Sequence, residues 1–212
     1  MNDRLLARLR SATAELNLAA VDEEYKDPFW SDRYGERGRR HAVEDGQYHF
    51  SYVAEAVAAG STLLLERYAR WLRSVLVARG MCSEHLADGF RIRARLLTGP
   101  DWPDAGPAIA AFACADEALR YHEGPAAGLV PAAANGSDYL ADELRVLRSY
   151  LADALALAQP ATWIEHLVWR VGFDARGGRP QGHTRAQLDL LREQLAGSPA
   201  AAMIDDARSR LP

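Results

Sequence analysis

The stretch SYVAEAVAAGSTLLLERYARWLRSVLVARG (residues 51–80) returns 98 positions later as SYLADALALAQPATWIEHLVWRVGFDARGG (residues 149–178), and this return decides the fold. Ser51, Tyr52, Ala54, Ala56, Ala58, Trp71, Gly80 and His85 fall on Ser149, Tyr150, Ala152, Ala154, Ala156, Trp169, Gly178 and His183. Conservative pairs lengthen the match: Asp45 with Glu143, Val53 with Leu151, Glu55 with Asp153, Phe90 with Leu188. The shift keeps both the apolar phase and the tryptophan. A helical unit that cannot bury its apolar face alone can bury it against a twin. The sequence therefore reads as an all-α helical bundle of two pseudo-symmetric repeated units, paired through stripes that carry Trp71 and Trp169.

Working outward, apolar residues recur at helical spacing in Leu64, Tyr68, Trp71, Leu72, Val75 and in Leu140, Leu144, Leu147, Leu151, Leu155, and no segment alternates with period two. The spacing predicts helices near 3–18, 36–59, 61–79, 83–98, 105–123, 137–158, 160–172, 183–196 and 199–210. Ser61, Ser83 and Ser137 suit N-caps, and Gly60 and Gly80 suit left-handed helix stops. The expected layout is one domain, 1–212, with an N-terminal strap (1–36), repeat unit 1 (37–98), a connector with one helix (99–136), repeat unit 2 (137–197) and a C-terminal tail helix (198–212). Within the strap, the three aromatics of DPFWSDRYGER (27–37) are expected to lie across the bundle. GGRPQGH (177–183), with three glycines, is expected to be the most mobile loop.

Of the 212 residues 49% are apolar, enough for a real core, and the net charge is only −4. Among the 25 basic residues only Lys26 is a lysine. No concentrated basic surface is legible, which speaks against nucleic acid as the main partner. MNDRLLARLR lacks the apolar run of a signal peptide, and the longest apolar stretch, Ala108 to Ala115, is too short for a bilayer. A cytoplasmic chain without membrane contact is the expectation, and Cys82 and Cys114 are expected to be reduced.

The chemistry-bearing residues gather on one helix. His41, Asp45, His49 and Tyr52 share a stripe. Phe50, Val53 and Val57 define a different, apolar face, so His41 and Glu44 should look to solvent. His49 sits at the boundary, and its counterpart is Leu147, so it should be partly buried and need a partner or a ligand. A metal such as iron would draw on His49, Asp45 and Glu143. The Glu-x-x-His spacing of two-iron bundles is absent. Trp71, Trp169, Tyr52 and Tyr150 could instead wall an apolar ligand between the repeats. No phosphate loop, nucleophile elbow or paired-cysteine zinc spacing is present.

Residues 51–97, with their Ala-rich first helix ending at Gly60, their second helix ending at Ala78-Arg79-Gly80, and a Trp followed by Glu-His, resemble the helical cap module of cobalamin-binding proteins of the methionine-synthase and light-sensing type. The resemblance implies that Trp71, Glu84 and His85 face the upper side of a corrin. The Trp to Glu-His spacing is longer here than in that family, and its Asp-x-His-x-x-Gly cobalamin motif is absent.

The expected function is a non-catalytic regulatory, sensory or ligand-binding module, taking a small molecule such as a tetrapyrrole-like or cobalamin-like cofactor. Two alternatives stand beside it. One is a metal-dependent, di-iron-like bundle enzyme; the other is a protein-interaction subunit, with a homodimer among its forms.

Overall fold

The computed structural model describes residues 3–131 and 139–211. Among them the chain is all-helical, with no strand. Its helices are α1 (Asp3–Glu24), α2 (Pro28–Asp45), α3 (Gln47–Ala59), α4 (Leu63–Val77), α5 (Ser83–Leu96), α6 (Gly106–Glu117), α7 (Tyr139–Ala156), α8 (Pro160–Arg176), α9 (His183–Gln194) and α10 (Pro199–Arg210). A 3-10 turn spans Gly124–Ala126. No described helix is long and apolar enough to cross a membrane. Ser137, expected to cap α7, lies outside the described residues.

The chain forms two compact units, Met1–Leu72 with Leu86–Leu119, and Arg73–His85 with Arg120–Pro212. In the first, α1 packs on α3 and α3 on α6. Leu9, Val21, Phe50, Val53, Leu65, Phe90 and Phe112 are its buried apolar centre. In the second, α7, α8, α9 and α10 close around Leu147, Leu151, Trp163, Leu167, Leu188, Leu191 and Ile204. Each such side chain contributes about 1.5–3 kcal/mol by leaving water, which makes these clusters the main favourable term in both units.

Two expectations about local structure are corrected. The aromatic stretch of the strap is helical as far as a break at Gly35 (φ 58°): Asp27 caps α2 by accepting the Phe29 amide at 2.9 Å, with Pro28 as its first residue. A proline at that position loses no helical hydrogen bond, so it starts a helix here instead of breaking one. Phe29 is buried, and Trp30 and Tyr34 pack around it. The helix expected over 36–59 is divided at Gly46. A Cβ there would collide with the Asn17 carboxamide and the Ala42 carbonyl, and would meet Arg93 Nη2 at 2.9 Å. Glycine lets these groups approach.

Helix ends reveal a regularity. Gly60 closes α3 in the left-handed region (φ 63°), and the Ser61 amide donates to the Ala56 carbonyl at 3.1 Å. After α7, Ala158 takes the same region (φ 53°), and the Gln159 amide donates to the Ala154 carbonyl at 2.9 Å. Gly80 (φ 85°) and Gly178 (φ 72°) close α4 and α8 with matching bonds, from Met81 to Leu76 and from Arg179 to Asp174. These are six-to-one helix-closing bonds. Both pairs of closures lie 98 positions apart.

Candidate functional site

In the first unit, α3 and α4 meet through rings. Tyr52 stacks on Tyr68 with centroids 4.0 Å apart and planes at 16°, and Tyr68 lies 6.0 Å from Trp71 at 34°. The Tyr68 hydroxyl is 3.0 Å from His49 Nδ1, and the His49 ring lies edge-on to Phe90. Burial, with Arg93 nearby as the lesser cause, pushes His49 well below the ordinary histidine range. It is therefore a neutral imidazole with a hydrogen-bond partner. Burial also pushes the Tyr68 hydroxyl far above its usual value. Asp45 is exposed at the end of α2, and His41 and Glu44 form an exposed pair, as the register implies.

The second unit repeats the ring pattern with one exchange. Tyr150 stacks on His166 at 3.6 Å and 14°, and His166 lies 5.7 Å from Trp169 at 34°. Tyr150, His166 and Trp169 stand 98 positions after Tyr52, Tyr68 and Trp71. Phe173 stacks on Trp169 at 4.9 Å, leaving that indole half-buried. Trp71 is 58% exposed. The expectation that Trp71 lies in a buried stripe is corrected: α4 turns Leu65, Tyr68 and Ala69 inward, and Trp71 falls outside that arc.

Around Tyr150 the second unit holds a buried polar set. Tyr150 donates to the Gly80 carbonyl at 3.0 Å. His85 lies edge-on to Tyr150, and its Nδ1 is 3.6 Å from Cys82 Sγ. Burial, with Arg170 as a second cause, pushes His85 down to about 3. Asp153 accepts from the Ser83 amide at 2.6 Å, from the Ser83 hydroxyl at 2.5 Å and from the Tyr121 hydroxyl at 2.8 Å. Burial raises the Asp153 carboxyl while those bonds pull it the other way. Ser149 accepts the Glu84 amide at 2.9 Å, and Arg145 pairs with the Glu84 carboxylate. The expected corrin-facing pair, Glu84 and His85, is thus turned into protein on both counts. Ser83 itself donates to Asp153, so the helix start is capped from α7.

Glu143, itself half-buried, anchors a second polar group. It pairs with Arg179 at 2.6 Å, with Arg170 at 3.2 Å and with His183 at 3.3 Å, and Gln187 also donates to it. Asp174 accepts from the Thr184 hydroxyl at 2.7 Å and lies 3.4 Å from Arg179 Nε. Two carboxylates facing two guanidiniums leave the group balanced. Glu143 is therefore engaged by cations of its own unit. The loop 177–183, expected to be mobile, is tied down by Arg179 and His183. Among the described residues no three His, Cys, Asp or Glu side chains converge as a metal-ligand group. Neither Cys82 nor Cys114 is in a disulfide.

No motif or spacing in the sequence marks Tyr68, His166, Asp153, Ser149, Arg170, Asp174 or Arg179 as site residues. The pairs Glu55/Asp153 and Ser51/Ser149 were visible as repeat partners, yet only the second member of each is buried. Comparison with protein-family models, with curated proteins and with solved structures finds no match to this chain.

What remains outward is the exposed side of α4. Leu63, Leu64 and Trp71 are each at least half exposed. Arg67 and Arg70 are exposed among them. Tyr48, 59% exposed, lies one turn before Tyr52 on α3.

Proposed function

We propose that the chain is a duplicated helical module with a non-catalytic, regulatory role, acting by contact with another protein through the exposed side of α4. Duplication is supported by the coincident helix closures and by the ring ladder that recurs under the same 98-residue shift. The observation that carries the functional reading is Trp71. An indole 58% exposed, with Leu63 and Leu64 on the same helix, presents the large apolar residues that protein interfaces use as anchors. The buried titratable groups support the non-catalytic part. His85 is neutral and enclosed, His49 is neutral, half-buried and held by Tyr68, Cys82 is buried, and Glu143 and Asp174 are consumed by arginines.

A photo-crosslinking residue at position 71, compared with one at the exposed Leu18 on α1, tests this in the native host. One discrete covalent adduct is expected from position 71 and none from position 18. No adduct at 71, or equal adducts at both, overturns the docking reading. Stoichiometric iron, or absorbance bands between 350 and 600 nm in protein purified from that host, would put the metal or cofactor reading in its place.

A further inference from the structure

Resting on that reading, we infer that the exposed side of α4 receives an amphipathic helix whose apolar stripe is flanked by acidic residues. At about 100° per residue, Leu63, Leu64, Arg67, Arg70 and Trp71 occupy an arc of about 120°, whereas Leu65, Tyr68 and Ala69 occupy the opposite, buried arc. An outward helical arc is ordinarily polar. Here its three large apolar side chains form two ends, Leu63 with Leu64 and then Trp71 two turns later, about 12 Å apart along the axis. That spacing is the one read by an incoming helix with anchors at i and i+7.

The charges choose the partner. Arg67 and Arg70 lie between the two apolar ends. Among the described residues no carboxylate pairs with Arg67, and Arg70 meets only Glu66, at 3.4 Å in an exposed pair of the kind worth little. Two guanidiniums against the one carboxylate of Glu66, set between leucines and a tryptophan, leave a local excess of positive charge on a chain of net charge −4. Arginine in that setting favours carboxylates that can meet its planar fork.

Calorimetric titration with two synthetic 16-residue helical peptides tests the inference: one with leucines at i, i+3, i+4 and i+7 flanked by glutamates, the other with lysines in place of the glutamates. The glutamate peptide is expected to bind the full chain roughly tenfold more tightly than the lysine peptide. Arg67→Glu with Arg70→Glu should invert that preference. Trp71→Ala should weaken both peptides roughly tenfold while the thermal unfolding curve stays in place, since the indole is largely in water. Equal or tighter binding of the lysine peptide overturns the inference. So does Trp71-dependent capture by phosphatidylserine vesicles, or Trp71-dependent self-association without peptide. If neither peptide binds while the position 71 adduct still forms in the host, the partner chemistry is wrong and the docking reading stands; if both fail, both fall.

Discussion

Ala158 holds the left-handed backbone (φ 53°) that Gly60 holds (φ 63°) 98 positions earlier, and it is the one non-glycine residue with positive φ among those described. A Cβ in that region costs roughly 1–2 kcal/mol, part of which is returned because alanine restricts the unfolded chain. Ala158→Gly should therefore stabilise the protein by about 0.5–1 kcal/mol. Gly60→Ala should destabilise it by a similar amount, since nothing lies within 4 Å of the added Cβ and only the backbone resists. Urea unfolding of the two variants reads both signs; a destabilised Ala158→Gly would contradict the cap.

The pairing of His49 with Tyr68 gives a double-mutant test. His49→Leu copies Leu147 but leaves the Tyr68 hydroxyl without its partner, a loss of about 1–2 kcal/mol. Adding Tyr68→Phe should recover most of that loss, because both polar groups then leave together. A coupling near zero between the two substitutions would show that the 3.0 Å contact contributes nothing.

Acid should weaken the protein before its carboxylates protonate. His49 and His85 have folded-state values below their unfolded value of 6.5, His85 down to about 3. Between those limits the unfolded chain binds more protons. Unfolding free energy is therefore whole above pH 6.5 and falls as pH drops, by about 1.4 kcal/mol per pH unit for each histidine. Asp153 works in the opposite sense, because its raised folded value favours the native state at low pH and that gain is lost as pH rises through it. Urea midpoints from pH 7.5 to 5 should decline, and His85→Leu should decline less steeply. A flat profile would place the histidines in water.

Burial should separate two ion pairs that look alike in the sequence. Glu143→Ala strips Arg170 and Arg179 of a shared, largely enclosed carboxylate and should cost up to about 3–5 kcal/mol. Glu66→Ala, which frees the exposed Arg70, should cost at most about 0.5 kcal/mol. Thermal unfolding of the two variants ranks them.

The helical class is legible because the 3.6-residue period runs through almost every segment, and glycine stops such as Gly60 and Gly80 mark helix ends by a local backbone requirement. Gly46 escapes that reading. Its φ of −65° is ordinary, and the demand for glycine comes from Asn17 and Arg93, distant in sequence. The orientation of α4 escapes it too. Leu63, Leu64 and Leu65 are consecutive, so the pattern does not say which leucine points inward, and Trp71 is drawn onto the wrong side with them. The partial burial of His49 follows from Leu147 at the matching position, but its partner does not, since Tyr68 and His166 exchange roles between the two ladders. Arg179 escapes for another reason: glycines on both sides of GGRPQGH suggest freedom, while the side chain between them reaches two carboxylates, Glu143 and the buried Asp174.

The start of α5 is held by side chains made much later. The Ser83 amide waits for Asp153, 70 residues downstream, and the Glu84 amide waits for Ser149, 65 residues downstream. At about 5–20 residues per second, a ribosome needs roughly 3–14 s to reach them after α5 begins to emerge. During that interval the first turn of α5 has only water to satisfy its amides. Slower translation of the segment between Leu96 and Ser149 would lengthen the exposure, so synonymous codon choice there can change the yield of folded chain without altering one amino acid.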